Sequence, residues 1–385
     1  MIKYKILKNV DDNKLIINIK DNNDIGKVSI NKYEYEQLLE CKCKIEKYSK
    51  IWDKNKKKKN NYELVFVSNR LKILNVANYI PISRSFFKLW EIFHDINYSI
   101  ETNVRTVHIA EGPGGFIEST INYCKRNNIT IDTIDAITLK EDNVNVPDWN
   151  IRGKLIKNNN IKIHYGNDGT GNIYKIENIL DFIIKVGKNS ADIITADGGF
   201  DYSIDYNKQE QLSYRLFLCE LAIAVSLQKK GGMYIFKIFD ISTEFTLQLI
   251  FILYKSYDKI SITKPHTSRM ANSEKYVICE GFQGIDNRNL NNLYNAIGEW
   301  ITHEQISLVD VGTIYTDKIF MEKILKYNSM YLSFQIKNIN STLSVPTRED
   351  FNNQIINAYR WCRKYNIDIN NYNKYRKFID DIYLQ

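Results

Sequence analysis

Short β-branched runs alternate with longer amphipathic stretches between about Ile82 and Phe282. This alternation is typical of βαβ units, in which a helix returns the chain to the next parallel strand. We therefore predict an α/β fold, with helices on both faces of a largely parallel sheet. The predicted strands are Val104–Ala110, Ile131–Thr138, Ile161–Tyr165, Asp192–Thr195, Gly232–Phe239, Lys259–Thr263 and Tyr276–Glu280.

A long helix is predicted at Gln209–Lys229, because apolar residues recur there at nearly helical spacing before two glycines, Gly231 and Gly232, end it. We expect its apolar positions to pack in the core. They are Leu212, Leu216, Leu218, Cys219, Ala222, Ile223 and Val225.

The pattern divides the chain into a basic N-terminal region, 1–80, a central α/β domain, 81–285, and a helical accessory region, 286–385, interrupted at Pro346. The lysine-rich run Lys54–Asn60 is too charged to bury itself, so we predict a loop, with a solvated turn favoured over an RNA-contacting patch. The accessory region combines basic and aromatic residues, which predicts a contribution to RNA affinity or to a partner contact. Packing against the core is the alternative. The residues concerned are Arg348, Arg360, Trp361, Arg363 and Lys364.

Composition narrows the class of protein. The chain has 385 residues, of which 44% are hydrophobic and 25% charged, and this is typical of a globular protein. Its net charge of +8 favours a polyanionic partner. The six cysteines show neither a disulfide framework nor zinc-ligand spacing, so we expect a reducing compartment and no metal. A charged N-terminus and the lack of an apolar run of ~18 residues predict a soluble intracellular protein without a membrane segment.

A glycine-rich loop, Glu-Gly-Pro-Gly-Gly-Phe at 111–116, joins the first predicted strand to a predicted helix, Ile117–Arg126. This setting is typical of a nucleotide-cofactor site, although a structural turn is an alternative. A dinucleotide site requires G-x-G-x-x-G, and Ile117 stands where the third glycine should be. A carboxylate at Glu111 would repel a pyrophosphate but suits a cation, such as the ammonium and sulfonium of S-adenosylmethionine.

Further polar residues follow predicted strands or interrupt them. Asp197 directly follows an apolar strand, so it lies at the carboxyl edge of the sheet, where ligands bind in doubly wound folds. Lys237 lies within an apolar strand, where an unpaired ammonium would be costly to bury, so it requires partners. The motifs at 83–91 and 264–277 carry Lys88 and Glu274.

Together these motifs resemble the FtsJ-like ribose 2′-O-methyltransferases, over about residues 81–282 and in the same order. The similarity is greatest to the Adrift-type branch, which includes the animal cap-2 enzyme and cap methyltransferases of large DNA viruses. The resemblance implies a Rossmann-like methyltransferase sheet with N-terminal and helical C-terminal extensions. It implies a catalytic tetrad of Lys88, Asp197, Lys237 and Glu274. It also implies that S-adenosylmethionine is bound by Glu111, Gly112, Pro113, Gly114, Gly115, Phe116, Asp168 and Asp197.

The resemblance further implies RNA as substrate, with the 5′ cap of mRNA first and ribosomal RNA second. A non-catalytic RNA-binding subunit with the same fold is the alternative from another class. Capping enzymes are the expected partners, in the cytoplasm, or in the host cytoplasm or a virion if the protein is viral. The ligand of the cofactor ribose is left open between Asp132 and Asp135. Asp201, Tyr202 and His266 are expected to be supporting or loop residues.

The tetrad suggests a division of labour. Methyl transfer is an in-line displacement, so the 2′-oxygen must be positioned and its proton removable. A lysine that acts as a base near neutrality needs a lowered pKa, and Lys88 as a cationic neighbour would lower the pKa of Lys237. Asp197 and Glu274 favour the ammonium form, so we expect them to orient the lysines.

Overall fold

The structure is a computed structural model. It describes residues 2–7, 15–22, 24–67, 72–96, 102–141, 149, 160–199, 206–300, 306–344 and 351–383. Asp201, Tyr202, Pro346 and Arg348, all named above, lie outside the described residues.

Most of the strands belong to one mixed sheet. In chain order the strands are β1 Ile2–Leu7, β2 Lys20–Asp21, β3 Asn103–Ile109, β4 Thr130–Ile137, β5 Ile161–His164, β6 Ala191–Ala196, β7 Gln228–Ile238, β8 Tyr257–Lys264, β9 Lys275–Phe282 and β10 Ile306–Ser307. Among the described residues, eight of them form one sheet in the order β1-β8-β9-β7-β6-β3-β4-β5, and β2 pairs with β10. Strands β5, β4, β3, β6 and β7 run parallel, whereas β9, β8 and β1 add antiparallel pairs. All seven predicted strands are thereby confirmed.

Helices cover the sheet and extend from it. They are α1 Lys32–Lys47, α2 Ser49–Lys59, α3 Ser85–Asp95, α4 Gly115–Arg126, α5 Ile176–Val186, α6 Gln209–Leu212, α7 Tyr214–Leu227, α8 Glu244–Ser256, α9 Asn287–Glu299, α10 Val311–Thr316, α11 Lys318–Leu343, α12 Phe351–Lys364 and α13 Arg376–Tyr383. None of the helices in the described ranges is long and apolar enough to cross a membrane.

Two local predictions are wrong. The helix predicted at 209–229 is divided at Ser213 into α6 and α7, and Leu212 is 52% exposed at the end of α6, whereas the other apolar positions are buried. The run Lys54–Asn60 is not a loop, because its lysines form the second half of α2. Lysine is a good helix former, and the last carbonyls of α2 accept hydrogen bonds from the Gln354 side chain, 2.9 Å from Lys57 O and 2.7 Å from Lys58 O.

Both flanking regions pack against the central region. β1 extends the main sheet through β8. Phe87 and Trp90 of α3 share a buried cluster with Trp361 of α12, so packing, the alternative interpretation, holds for Trp361. Arg360 and Arg363 are exposed, and their contribution to RNA affinity stays a prediction. The division into three independent regions also stays a prediction.

Candidate active site

The carboxyl edge of the sheet brings Asp197 and Lys237 together. β6 and β7 are parallel neighbours, and Ala196 lies opposite Phe236. The residues that follow these two, Asp197 and Lys237, are therefore adjacent at the edge of the sheet. Lys237 Nζ donates to Asp197 O at 2.7 Å and lies 3.3 Å from Asp197 Oδ1. Tyr276, opposite Lys237 on β9, donates its hydroxyl to Asp197 Oδ1 at 2.9 Å. Lys237 therefore has the partners that its apolar strand requires.

A second lysine–carboxylate pair forms between α3 and the start of β9. Lys88 Nζ donates to Glu274 Oε2 at 2.7 Å, and Ser268 Oγ donates to Glu274 Oε1 at 2.7 Å. Burial would raise the pKa of Glu274, but Lys88, Lys237 and Lys264 outweigh it and lower that pKa to about 2. Glu274 is therefore ionised at neutral pH.

The four residues of the implied tetrad thus lie within one site, since Lys237 acts electrostatically on Glu274 as well as on Asp197. Each lysine forms an ion pair with a carboxylate, and all four side chains retain between 10% and 15% exposure. Groups at such partial exposure can contact a substrate while staying oriented by the protein. Their catalytic roles stay predictions.

The glycine loop lies beside this site because it follows β3, the neighbour of β6. Gly114 has φ 103°, in the left-handed region, and α4 begins at the next residue. A Cβ at Gly115 would stand 2.1 Å from Ser83 Oγ and 2.2 Å from Ser85 Oγ, so the loop approaches the start of α3 closely. A larger residue at Gly115 would displace both serine hydroxyls and press on Phe86 N, which would stand 3.2 Å from the added Cβ. The helix that carries Lys88 and the loop that is predicted to bind the cofactor are therefore in direct contact.

The side chain of Glu111 lies beneath this loop, where it is only 4% exposed. His108 Nδ1 is 2.9 Å from Glu111 Oε2, while Oε1 has no partner within hydrogen-bonding distance among the described residues. Burial, with a further contribution from Asp197, raises the pKa of Glu111, and burial lowers the pKa of His108 to about 3. The sequence argument treated Glu111 as a free carboxylate, but the structure makes it one half of a buried pair that favours the neutral forms.

Glu220 is a residue of this site that the sequence analysis missed. It lies on α7 and is fully buried. Its carboxylate packs directly against Gly198, because a Cβ added to Gly198 would stand only 2.2 Å from Glu220 Oε1. Burial raises its pKa, Lys237 opposes that increase, and Asp197 and Glu111 add to it. The sequence contained an indication of this role: Glu220 lies within the apolar run Leu218–Ala222, and a glutamate is almost never fully buried unless it is paired.

The remaining predicted cofactor residues are less clearly placed. Asp168 follows β5 at the carboxyl edge, and Lys175 donates to it at 2.6 Å, so the pKa of Asp168 is lowered. Asp132 is exposed in the first half of β4, and Asp135 binds His164 Nε2 at 2.8 Å. Neither aspartate stands at the carboxyl edge, which β4 reaches only at Thr138. A ribose contact by Asp132 or Asp135 stays untested.

A cavity of about 850 Å³ opens from Glu274. Its walls come from α1, α2, α11 and the residues before β9, and they include Trp52, Lys56, Asn272 and Gln335. Charged side chains of both signs line the cavity, namely Lys42, Glu46, Asp53, Lys56 and Glu274.

Comparisons with known proteins agree with this site. The model of the FtsJ-like methyltransferase family matches residues 81–282, a range that includes all the site residues described above outside the cavity. The Dictyostelium discoideum cap-specific mRNA (nucleoside-2′-O-)-methyltransferase 1 is 32% identical over 249 residues, which are 60% of this chain and 32% of that protein. The protein of the same name in Trypanosoma brucei brucei is 28% identical over 258 residues, or 66% of this chain and 68% of that one.

One relative differs in its name. The inactive cap-specific mRNA (nucleoside-2′-O-)-methyltransferase 1B of Caenorhabditis briggsae is 34% identical over 182 residues, 43% of this chain and 21% of that protein. Identity at this level is therefore compatible with both active and inactive proteins. This chain spans about a third of the length of the Dictyostelium relative, and only about a fifth of the nematode one.

Proposed function

Because this chain belongs to the FtsJ-like methyltransferase family, which matches half of it, we propose that it transfers the methyl group of S-adenosylmethionine to a ribose 2′-hydroxyl of RNA. The substrate that we propose is the 5′ cap region of mRNA. One observation carries the proposal: two lysine–carboxylate pairs converge beside a glycine loop at the carboxyl edge of the sheet. A protein that only bound RNA would not need this arrangement.

The residues of the loop fit the proposed cofactor. Gly114 in the left-handed region and the close approach of Gly115 to α3 shape a backbone cradle, and the carboxylate of Asp197 at its edge suits a cation. Glu111 Oε1 remains as a buried acceptor beneath the cradle. When bound, S-adenosylmethionine supplies a methyl group activated by its sulfonium.

The two pairs would act on the acceptor hydroxyl. Lys237 Nζ, held by the carbonyl oxygen of Asp197, would accept the proton of the 2′-hydroxyl while the 2′-oxygen takes the methyl group and S-adenosylhomocysteine leaves as the bond from sulfur to that methyl breaks. Lys237 must be neutral for this step, and the positive charge of Lys88 favours the neutral form, whereas Asp197 and Glu274 oppose it. Glu274 keeps Lys88 directed at the site through its 2.7 Å contact.

The cap is favoured over other RNA because several similar proteins bear cap-specific names. The cavity beside Glu274 offers Trp52 as a surface for stacking a base and Lys56 near the phosphates. The retention of both lysines and both carboxylates favours turnover over the non-catalytic alternative.

The test is single-turnover transfer of labelled methyl groups to RNA ending in cap-0 or cap-1, to the same RNA without a cap, and to a ribosomal RNA fragment. We expect capped RNA to react at least about tenfold faster than uncapped RNA, since uncapped RNA lacks the base that would stack on Trp52. Equal rates on all four would contradict cap recognition. Binding of cofactor and RNA without transfer would favour the non-catalytic alternative.

A further inference from the structure

The segment that ends at Glu274, residues 265–274, is here called the Glu274 loop. It is held by side chains from parts of the chain that lie far apart in sequence. It joins the ends of β8 and β9, and side chains of α3 and α11 contact it: Glu91 accepts from His266 N, and Tyr331 donates its hydroxyl to Asn272 O at 2.8 Å.

Glu91 of α3 is the central contact. It is fully buried, and its carboxylate accepts four hydrogen bonds. Three come from the Glu274 loop: His266 N at 2.6 Å, Thr267 N at 3.2 Å and Thr267 Oγ1 at 3.2 Å. The fourth comes from Trp361 Nε1 of α12 at 3.0 Å. Trp361 lies outside the part of the chain that matches the family.

These contacts lead directly to the catalytic pair. Ser268, next to Thr267, donates its hydroxyl to Glu274 Oε1 at 2.7 Å. Arg84, one turn before Lys88 on α3, donates from Nε to Thr267 O at 3.2 Å. The helix that carries Lys88 is thereby joined to the loop that carries Glu274, at a point close to their own contact.

We propose that Trp361 is a positioning residue: by completing the hydrogen bonds of Glu91, it sets the geometry of the Glu274 loop and so of the Lys88–Glu274 pair. This inference rests on the proposed methyltransferase function. It assigns the C-terminal region a part in catalysis without a group that touches the substrate.

The physical reason is that the position of this buried carboxylate is set by four donors from two sides. Removal of the indole N–H leaves Glu91 with donors from the Glu274 loop alone, so we expect the carboxylate to shift relative to α12 and the loop amides to shift with it. A displacement of about 1 Å in groups that orient a reactant can reduce a rate by about 10²-fold.

The chain offers a matched control. Trp90 and Trp361 are both 2% exposed and belong to the same aromatic cluster, and each donates one indole hydrogen bond. Trp90 Nε1 donates to Tyr365 O at 2.9 Å and not to Glu91. Trp361→Phe and Trp90→Phe therefore make the same chemical change, but only the first one alters the contacts of the loop.

We expect Trp361→Phe to lower kcat for methyl transfer about tenfold, while the RNA KM and the cofactor Kd change less than twofold. Trp90→Phe should change kcat less than twofold. In the Glu274→Ala background, Trp361→Phe should have almost no further effect, because both changes act through the same carboxylate. Equal losses in both tryptophan variants, or additive losses with Glu274→Ala, would overturn the proposal.

Hydrogen exchange provides a readout that does not depend on activity. The amides of His266 and Thr267 should exchange faster in Trp361→Phe and not in Trp90→Phe, and unchanged exchange would overturn the proposal. If Trp361→Phe fails to fold, Glu91→Gln tests the same contacts. If the wild-type protein methylates no RNA, the proposed function fails, while faster exchange would still support the positioning of the loop by Trp361.

Discussion

The two lysine–carboxylate pairs of the site are assembled in different ways. Asp197 and Lys237, the sheet-held pair, lie 40 residues apart on neighbouring parallel strands, and backbone register alone brings them together. Lys88 and Glu274, the loop-held pair, lie 186 residues apart and meet through a helix and a loop. A pair set by strand register needs little support from elsewhere, whereas a pair on a loop depends on side chains such as Glu91 and Ser268.

The two pairs also differ in the buried ionisable groups beside them. The sheet-held pair adjoins two buried acids, Glu111 and Glu220. Beneath the loop-held pair lies Lys264, whose Nζ donates to Glu274 O at 2.7 Å, and burial lowers the pKa of Lys264 to about 7. Because burial favours the neutral forms of Glu111 and Glu220, these acids surround Lys237 with buried acceptors more than with negative charge, whereas Lys264 helps to keep Glu274 ionised. In the proposed mechanism, Asp197 favours the charged form of Lys237 and the positive charge of Lys88 favours the neutral form.

The largest expected effect comes from breaking the sheet-held pair. Lys237→Met should abolish transfer, with a loss of at least about 10²–10⁴-fold, because methionine retains the apolar stem but cannot accept a proton. Lys237→Arg should fail too, because a guanidinium stays protonated. Asp197→Asn should be nearly inactive. Single-turnover transfer measures the rate, and calorimetry measures cofactor binding. The control is Lys259→Met, because Lys259 on β8 is also paired with a carboxylate, that of Glu280. Near-normal transfer by folded Lys237→Met would refute the assignment.

Breaking the loop-held pair at Glu274 should have a smaller effect than breaking it at Lys88 or breaking the sheet-held pair. Lys88→Met should be nearly inactive, since it removes the cation that favours neutral Lys237, whereas Glu274→Ala should lose only about 10-fold to 100-fold because Glu274 acts by orienting Lys88. The same transfer assay ranks the two variants. A Glu274→Ala loss equal to that of Lys237→Met would mean that the pairs are equivalent, contrary to the comparison.

A change in the glycine loop should separate cofactor binding from both pairs. Gly114→Val places a β-branched side chain at φ 103°, so we expect roughly tenfold weaker S-adenosylmethionine binding and much of the transfer rate restored at saturating cofactor. Gly284→Val is the matched control, because Gly284 has φ 107° and open space around it. Calorimetry gives both affinities. If Gly114→Val and Gly284→Val bind S-adenosylmethionine with equal affinity, the glycine loop is not part of the cofactor site.

The smallest effect on transfer is expected from Glu220→Gln, which keeps the shape beside Gly198. The raised pKa of Glu220 means that the folded protein holds this proton more tightly than the unfolded chain. Its contribution to stability is therefore present below pH about 4.5 and is lost as pH rises through the folded pKa. Glutamine cannot ionise, so the variant should gain stability relative to wild type as pH rises. Denaturant unfolding between pH 5 and pH 8 measures this difference, and a constant difference would contradict it.

The sequence identified some residues of this site as candidates and gave little indication of others. Asp197 and Lys237 stood out because a charge at the end of an apolar strand, or within one, needs an explanation. Glu220 was hidden within an apolar helix, and Glu91 appeared only as a charge in a motif. The lysines of α2 were wrongly predicted to form a loop. A run of lysines indicates that a segment is exposed to solvent, but it does not show that Gln354 donates hydrogen bonds to the end of that helix.

The sequence by itself determined the strands, the α/β class and the position of the glycine loop, because hydrophobic periodicity and motif order are local properties of the chain, while the roles of the four tetrad residues stay predictions that the family resemblance implies. The tertiary structure alone decided that Glu111 is paired with His108 in the core, that Glu220 lies behind Gly198, and that Trp361 contacts Glu91. Those contacts join segments as much as 270 residues apart, as Glu91 and Trp361 are, and burial and hydrogen bonding at such separations depend on packing that no local pattern encodes.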